Sequence, residues 1–166
     1  DTTREQYFDV ITRKTAILFA AACEGAVMLS GESDETLQRM HDIGLNLGIA
    51  FQLIDDVLDY EGDPETTGKN VGDDLNEGKP TLPLIHARMM VNEQDRQAID
   101  AAISKEADAP LEYVMKLVKT SGALDSAMAA AKSKADEAEQ ALAGLPSNSW
   151  ADALRALARY SCNRNH

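Results

Sequence analysis

The chain has 166 residues, of which 44% are hydrophobic and 27% charged, a balance that favours one folded domain with a hydrophobic core over disorder. Only 5% of the residues are aromatic, which favours a helix-rich fold. The net charge of −12, from 28 acidic and 16 basic residues, disfavours general binding to nucleic acid or anionic lipid, so an anionic ligand would need local cations or a bridging metal ion.

The sequence predicts helices throughout and no strand. The first helix is predicted over 3–29, with Thr3 as its N-cap and Gly31 just beyond its end. The second is predicted over 34–60, where apolar residues recur in steps of three and four. Further helices are predicted over 81–91, 93–105, 110–120, 122–143 and 147–162. We therefore expect an all-α chain in which residues 1–166 form a single helical domain.

Between the second and third predicted helices lies a polar, glycine-rich segment, Glu61 to Lys79. It is longer than a passive connection usually is, and ordered loops of this length are often functional. We expect it to act as a lid over a ligand site.

The cysteines and the chain's first residues bear on its location. Cys23 and Cys162 lie far apart in a chain too large to need a disulfide, which favours a reducing compartment such as the cytoplasm. The longest apolar runs are shorter than a membrane span. The first residues, from Asp1, have neither an initiator methionine nor the pattern of a signal peptide. We expect the chain to begin within a longer protein.

The second predicted helix has an oxygen-rich side near its end. At about 100° per residue, four side chains fall within an arc of roughly 100° that is distinct from the apolar stripe: Gln52, Asp55, Asp56 and Asp59. A solvated acidic helix end is the commoner meaning of an isolated Asp-Asp-x-x-Asp. Clustered carboxylates also suit a hard cation, and Mg²⁺ commonly takes one or two carboxylates together with water and substrate phosphate.

Three linked segments carry a family resemblance: GIAFQLIDDVLD at 48–59, GKNVGDDL at 68–75 and GKPTLPL at 78–84. Together they resemble the second aspartate-rich region of the trans-prenyl diphosphate synthases. Their residues are more similar to those of the long-chain, octaprenyl-type branch than to those of the farnesyl branch. The family's first aspartate-rich motif has no counterpart in the chain. The resemblance thus implies the C-terminal half of the isoprenoid-synthase helical bundle, which alone we expect to be inactive.

The resemblance also implies residue roles. Asp55, Asp56, Asp59 and Asp73 correspond to the Mg²⁺ site, with Asp55 the candidate for direct ligation. The candidate catalytic residues are Lys14, Thr15, Gln52 and Asp55. The candidate substrate-binding residues are Lys14, Lys69, Lys79 and Arg164, of which Arg164 rests on a short match near the C-terminus.

The implied function is a transferase of isoprenoid biosynthesis. It would condense an allylic diphosphate with isopentenyl diphosphate, through Mg²⁺-assisted ionisation, to make a polyprenyl diphosphate, and the full-length protein would be a homodimer. Two alternatives stay open. One is a noncatalytic subunit that regulates a heteromeric synthase, against which the complete set of aspartates and lysines argues. The other is a terpene cyclase, against which the scarcity of aromatic residues argues.

Overall fold

A computed structural model describes residues 2–61, 71–145 and 148–162 of the chain. All regular secondary structure in these ranges is helical, which confirms the predicted all-α class. The elements are α1 (Arg4–Ile11), a π-helical turn (Thr12–Ala16), α2 (Ile17–Ser30), α3 (Asp34–Glu61), α4 (Asp73–Asn76), α5 (Leu82–Met90), α6 (Glu93–Ile103), α7 (Leu111–Thr120), α8 (Ala123–Leu142) and α9 (Ser149–Cys162). In the described part of the chain, no helix combines the length and the hydrophobicity needed to cross a membrane.

The predicted ends of the first helix are confirmed, but its interior differs from the prediction. Thr3 and Gln6 form a reciprocal capping box: Gln6 N donates to Thr3 Oγ1 at 3.2 Å, and Thr3 N donates to Gln6 Oε1 at 2.8 Å. Gly31 ends α2 in the left-handed conformation with φ of 70°. Between them, the π-helical turn interrupts the expected continuous α-helix. Such turns occur frequently at functional sites.

The chain divides into two compact units. Unit 1 contains the described residues of Asp1–Tyr7 and Asp55–Ala129, and unit 2 those of Phe8–Ile54 and Ala130–Asn165. Helix α3 therefore contributes its last residues to unit 1 and the rest to unit 2. The expectation of a single domain stays a prediction.

Unit 2 combines a buried apolar cluster with close backbone approach at glycines. A buried cluster from α3, α8 and α9 forms part of its core: Ile43, Leu47, Ala138, Leu142 and Ala158. Helix α3 also approaches the N-terminal helices closely, since a Cβ atom added to Gly44 would lie 2.5 Å from Phe19 O, and one added to Gly48 would lie 2.5 Å from Ala16 Cα. Only glycine fits at these two positions.

Unit 1 has a core of large apolar side chains, among them Tyr60, Leu75, Leu82, Leu84, Ile99 and Val118. It also contains the short helix α4, which the sequence pattern did not predict because glycines surround it. Gly72 precedes α4 with φ of 85°, a left-handed conformation that favours glycine. Residues 62–70 of the predicted lid lie outside the described residues.

Candidate active site

In unit 1, the predicted metal-site residue Asp56 is not at the surface. Its side chain is only 3% exposed, and its Oδ2 accepts a hydrogen bond of 2.6 Å from the hydroxyl of Tyr7, which is 5% exposed. Burial and the negative charge of Asp56 raise the pKa of Tyr7, so its hydroxyl stays protonated and donates. Hydrogen bonds to carboxylates are shorter and stronger than neutral ones. The sequence reasoning missed Tyr7.

Asp59 joins the end of α3 to α4. Its side-chain Oδ2 accepts a hydrogen bond of 3.2 Å from Asp74 N, and its carbonyl oxygen accepts one of 2.8 Å from Gly72 N. These contacts place the start of α4, where Asp73 lies, beside the aspartate motif. The aspartate motif of α3 and the acidic segment within the predicted lid are thus brought together.

Lys79 follows α4 and lies among acidic side chains. Its Nζ is 2.8 Å from Asp74 Oδ1 and 2.7 Å from Glu77 Oε2. The hydrogen bonds to Asp74 and Glu77 raise the pKa of Lys79, so its ammonium group is charged at neutral pH. The side chain is about half exposed, at 48%, which leaves it open to solvent. The structure therefore places a fixed positive charge next to α4.

In unit 2, the π-helical turn carries Lys14 and Thr15. Thr15 Oγ1 donates a hydrogen bond of 2.9 Å to Gln52 Oε1 on α3. The close approach of Gly48 to Ala16, one turn before Gln52, lets the two backbones come near enough for this contact. Lys14 is exposed. Two of the predicted catalytic residues, Thr15 and Gln52, are therefore in direct contact.

The carboxylate oxygens of unit 1 are the type of ligand that Mg²⁺ prefers. Within the described ranges, no three His, Cys, Asp or Glu side chains already converge as a metal-binding group. Asp59 uses one carboxylate oxygen on the α4 backbone, yet a carboxylate has about four lone-pair sites and can accept more than one partner. Mg²⁺ commonly needs only one or two protein carboxylates, and the side chains of Asp55, Asp59 and Asp73 are donors of that chemical kind.

Two predicted substrate-binding residues, Lys69 and Arg164, lie outside the described residues. The structure thus places Asp55, Asp56, Asp59, Asp73 and Lys79 in unit 1. It places Lys14, Thr15 and Gln52 in unit 2.

Comparison with known proteins decides the family. The sequence profile described as "Polyprenyl synthetase" matches residues 1–120. The chain belongs to the polyprenyl synthetase family. This confirms the resemblance drawn from the three linked segments.

The relatives of this polyprenyl synthetase chain include long-chain enzymes. It is 45% identical over 166 residues to the octaprenyl diphosphate synthase of Escherichia coli K12, covering 99% of this chain and 51% of that protein. It is 43% identical to the all-trans-nonaprenyl-diphosphate synthase (geranyl-diphosphate specific) of Rhodobacter capsulatus, covering 99% of this chain and 50% of that protein. The chain therefore spans about half the length of the curated relatives it matches, as expected for one half of such a protein.

A solved structure shows the same fold. The polyprenyl synthase of Caulobacter crescentus CB15, crystallised with calcium and isoprenyl diphosphate, superposes with a TM-score of 0.92 at 40% sequence identity. The match covers 100% of this chain and 51% of the Caulobacter chain. The likeness confirms that the polyprenyl synthetase chain has the all-α fold of isoprenyl synthases.

Proposed function

We propose that the polyprenyl synthetase chain is the diphosphate-ionising part of a trans-prenyl diphosphate synthase. The full-length protein would condense an allylic diphosphate with isopentenyl diphosphate to make a polyprenyl diphosphate. The observation that carries the proposal is the contact between Asp59 and the backbone of Asp74, which joins the aspartate motif on α3 to the second acidic segment on α4. A merely solvated acidic helix end would not require that docking.

The carboxylates that we propose to hold Mg²⁺ are those of Asp55, Asp59 and Asp73, because the carboxylate of Asp56 faces Tyr7 in the core. Bound Mg²⁺ would neutralise the charge that develops on the departing diphosphate. In unit 1, the ammonium group of Lys79 would add positive charge for this anion, and in unit 2, Lys14 is a further candidate for binding diphosphate.

The contact between Thr15 and Gln52 supports a role in stabilising the allylic carbocation that ionisation produces. Thr15 Oγ1 donates a hydrogen bond to Gln52 Oε1, and each oxygen keeps lone pairs that carry partial negative charge without being strongly nucleophilic. A carbocation near them would be stabilised without being trapped. Lys69 and Arg164 complete the proposed set of diphosphate-binding residues.

We also propose that the full-length protein is a cytoplasmic homodimer. The two cysteines support a reducing compartment. The homodimer rests on the family resemblance.

Asp55→Ala in the full-length protein tests the proposed function. Removing one charged contact to a transition state commonly costs a factor of roughly 100 to 1,000 in rate. We expect steady-state prenyl transfer to fall by that factor while helicity stays unchanged, because the core neighbours Leu53, Ile54 and Val57 on α3 are untouched.

Asp42→Ala is the matched control on the same helix. Asp42 is exposed and accepts a hydrogen bond of 3.0 Å from Gln38 Nε2, outside the aspartate motif. Its replacement should leave turnover near normal. A folded Asp55→Ala protein with the turnover of Asp42→Ala would show that the motif has no catalytic role.

A further inference from the structure

The hydrogen bond between Tyr7 and Asp56 lies deep in the protein interior. It joins residues 49 apart in sequence, one on α1 and one on α3, both within unit 1. Both side chains are almost fully buried, with 5% and 3% exposure. No local sequence pattern predicts such a pair.

Folding alone gives little reason for an aspartate at this position. Its neighbours on α3 at the next position and one turn later, Val57 and Tyr60, are completely buried. A buried carboxylate is costly to desolvate, and replacing buried charged groups by well-packed apolar residues is often neutral or stabilising. The buried charge with its aligned donor therefore points to a role beyond stability.

Helix geometry indicates what that role is. Carboxylates on a helix lie about 5 Å from its axis, so a rotation of roughly 10° about the axis moves each of them by about 1 Å. A displacement of that size at a reacting group can cost about a hundredfold in rate. A hydrogen bond that fixes Asp56 against α1 limits this rotation, and thereby fixes the directions of Asp55 beside it and of Asp59 three residues later.

We propose that Tyr7 is a positioning residue, which holds Asp56 so that Asp55 and Asp59 are oriented toward a metal-bound diphosphate. In this arrangement Asp56 acts through its place in the fold and not as a metal ligand. The inference rests on the proposed function, since it presupposes that Asp55 and Asp59 face Mg²⁺.

The test compares two buried tyrosines in the full-length protein. Tyr7→Phe removes the hydroxyl that donates to Asp56. Tyr60→Phe is the matched control, because Tyr60 is fully buried in the same unit and its hydroxyl lies 3.4 Å from a neutral partner, Thr81 Oγ1. Binding of inorganic diphosphate is measured by calorimetry over a series of Mg²⁺ concentrations, and thermal unfolding is measured without metal.

We expect Tyr7→Phe to raise the Mg²⁺ concentration needed for half-maximal diphosphate binding about tenfold, the effect of losing one hydrogen bond to a charged group. Tyr60→Phe should change it by less than about twofold. Both variants should lower the unfolding temperature, so a shift in the Mg²⁺ requirement confined to Tyr7→Phe separates positioning from simple destabilisation.

Asp56→Asn keeps the proposal testable if Tyr7→Phe fails to fold. The amide oxygen of asparagine still accepts from Tyr7, so the Mg²⁺ requirement should stay within about threefold of normal. A larger loss in Asp56→Asn than the roughly tenfold loss expected for Tyr7→Phe would overturn the proposal, because it would mean that the negative charge of Asp56, and not the hydrogen bond from Tyr7, sets the Mg²⁺ requirement. Equal effects of Tyr7→Phe and Tyr60→Phe would overturn it as well.

Wild-type protein separates this inference from the proposed function. If wild type bound no diphosphate at any Mg²⁺ concentration, the proposed function and the inference would both fall. Normal Mg²⁺-dependent binding in wild type, together with an unchanged Mg²⁺ requirement in Tyr7→Phe, would overturn only the positioning role.

Discussion

Each of the two compact units is stabilised internally by a different kind of contact. Unit 2 relies on small residues and close backbone approach, as at Gly44 and Gly48. Unit 1 contains every polar or charged side chain that is buried in the described part of the chain: Asp56, Thr81 and His86. Close backbone approach thus distinguishes unit 2, and buried polar groups distinguish unit 1.

This difference predicts how each unit fails. Close packing of backbones leaves no room for added volume, so unit 2 should be most sensitive to substitutions that enlarge a side chain. A buried polar group is costly once its partner is removed, so unit 1 should be most sensitive to substitutions that delete a donor or an acceptor.

The largest effect on stability is expected for Gly44→Ala. The new Cβ would lie 2.5 Å from Phe19 O and 2.7 Å from Ala20 Cα, and both are backbone atoms that cannot move aside alone. Overpacking of this kind costs about 3 kcal/mol. The free energy of unfolding, measured by urea titration, should fall by that amount.

Gly25→Ala is the control for this prediction. Gly25 lies inside α2, and a Cβ there would meet nothing within 4 Å. Replacing a helical glycine by alanine should stabilise the protein by about 0.5 to 1 kcal/mol. Similar effects of the two substitutions would contradict the close approach of α3 to α2.

Asp59→Ala should have a smaller effect, in unit 1. It removes the carboxylate that accepts from Asp74 N at the start of α4. Losing the side-chain acceptor of an N–H in the first turn of a helix typically costs about 1 kcal/mol. Urea unfolding without Mg²⁺ should show this loss, whereas Asp59→Asn, which retains an oxygen acceptor, should show little. A loss as large in Asp59→Asn as in Asp59→Ala would mean that this hydrogen bond is not the stabilising contact.

The sequence predicted the fold better than the site. Helix ends were predicted well where a local signal exists, such as the Thr3 capping box and Gly31, because capping depends on a few neighbouring residues. The π-helical turn at Thr12–Ala16 was missed because α-helical periodicity carries no sign of one inserted residue.

Contacts between distant residues account for the rest of what was missed. Asp56 was predicted at an oxygen-rich helix surface, yet it is buried, because the arc of oxygen-bearing side chains is partly covered by α1 through Tyr7. A helical wheel describes one helix and cannot show which neighbour covers it.

The smallest expected effect is a pH dependence of stability caused by His86. This histidine is a buried polar residue of unit 1, and its Nδ1 has no hydrogen-bond partner among the described residues. Burial, and secondarily the positive charge of Arg4, lower the pKa of His86. In the unfolded chain a histidine binds its proton with a pKa of about 6.5. Below that pH the unfolded state holds more protons than the folded state, so the free energy of unfolding should fall as the pH drops through about 6.5 and continue to fall until the folded pKa is passed.

Urea titrations at about pH 7.5 and about pH 5.5 should show a steeper decline in the free energy of unfolding in wild type than in His86→Leu, which has no imidazole to protonate. Arg4→Gln should show an intermediate decline, because it removes the neighbouring charge and leaves the burial unchanged. Equal declines in wild type and His86→Leu would assign the acid sensitivity to other groups and leave His86 as a neutral part of the core.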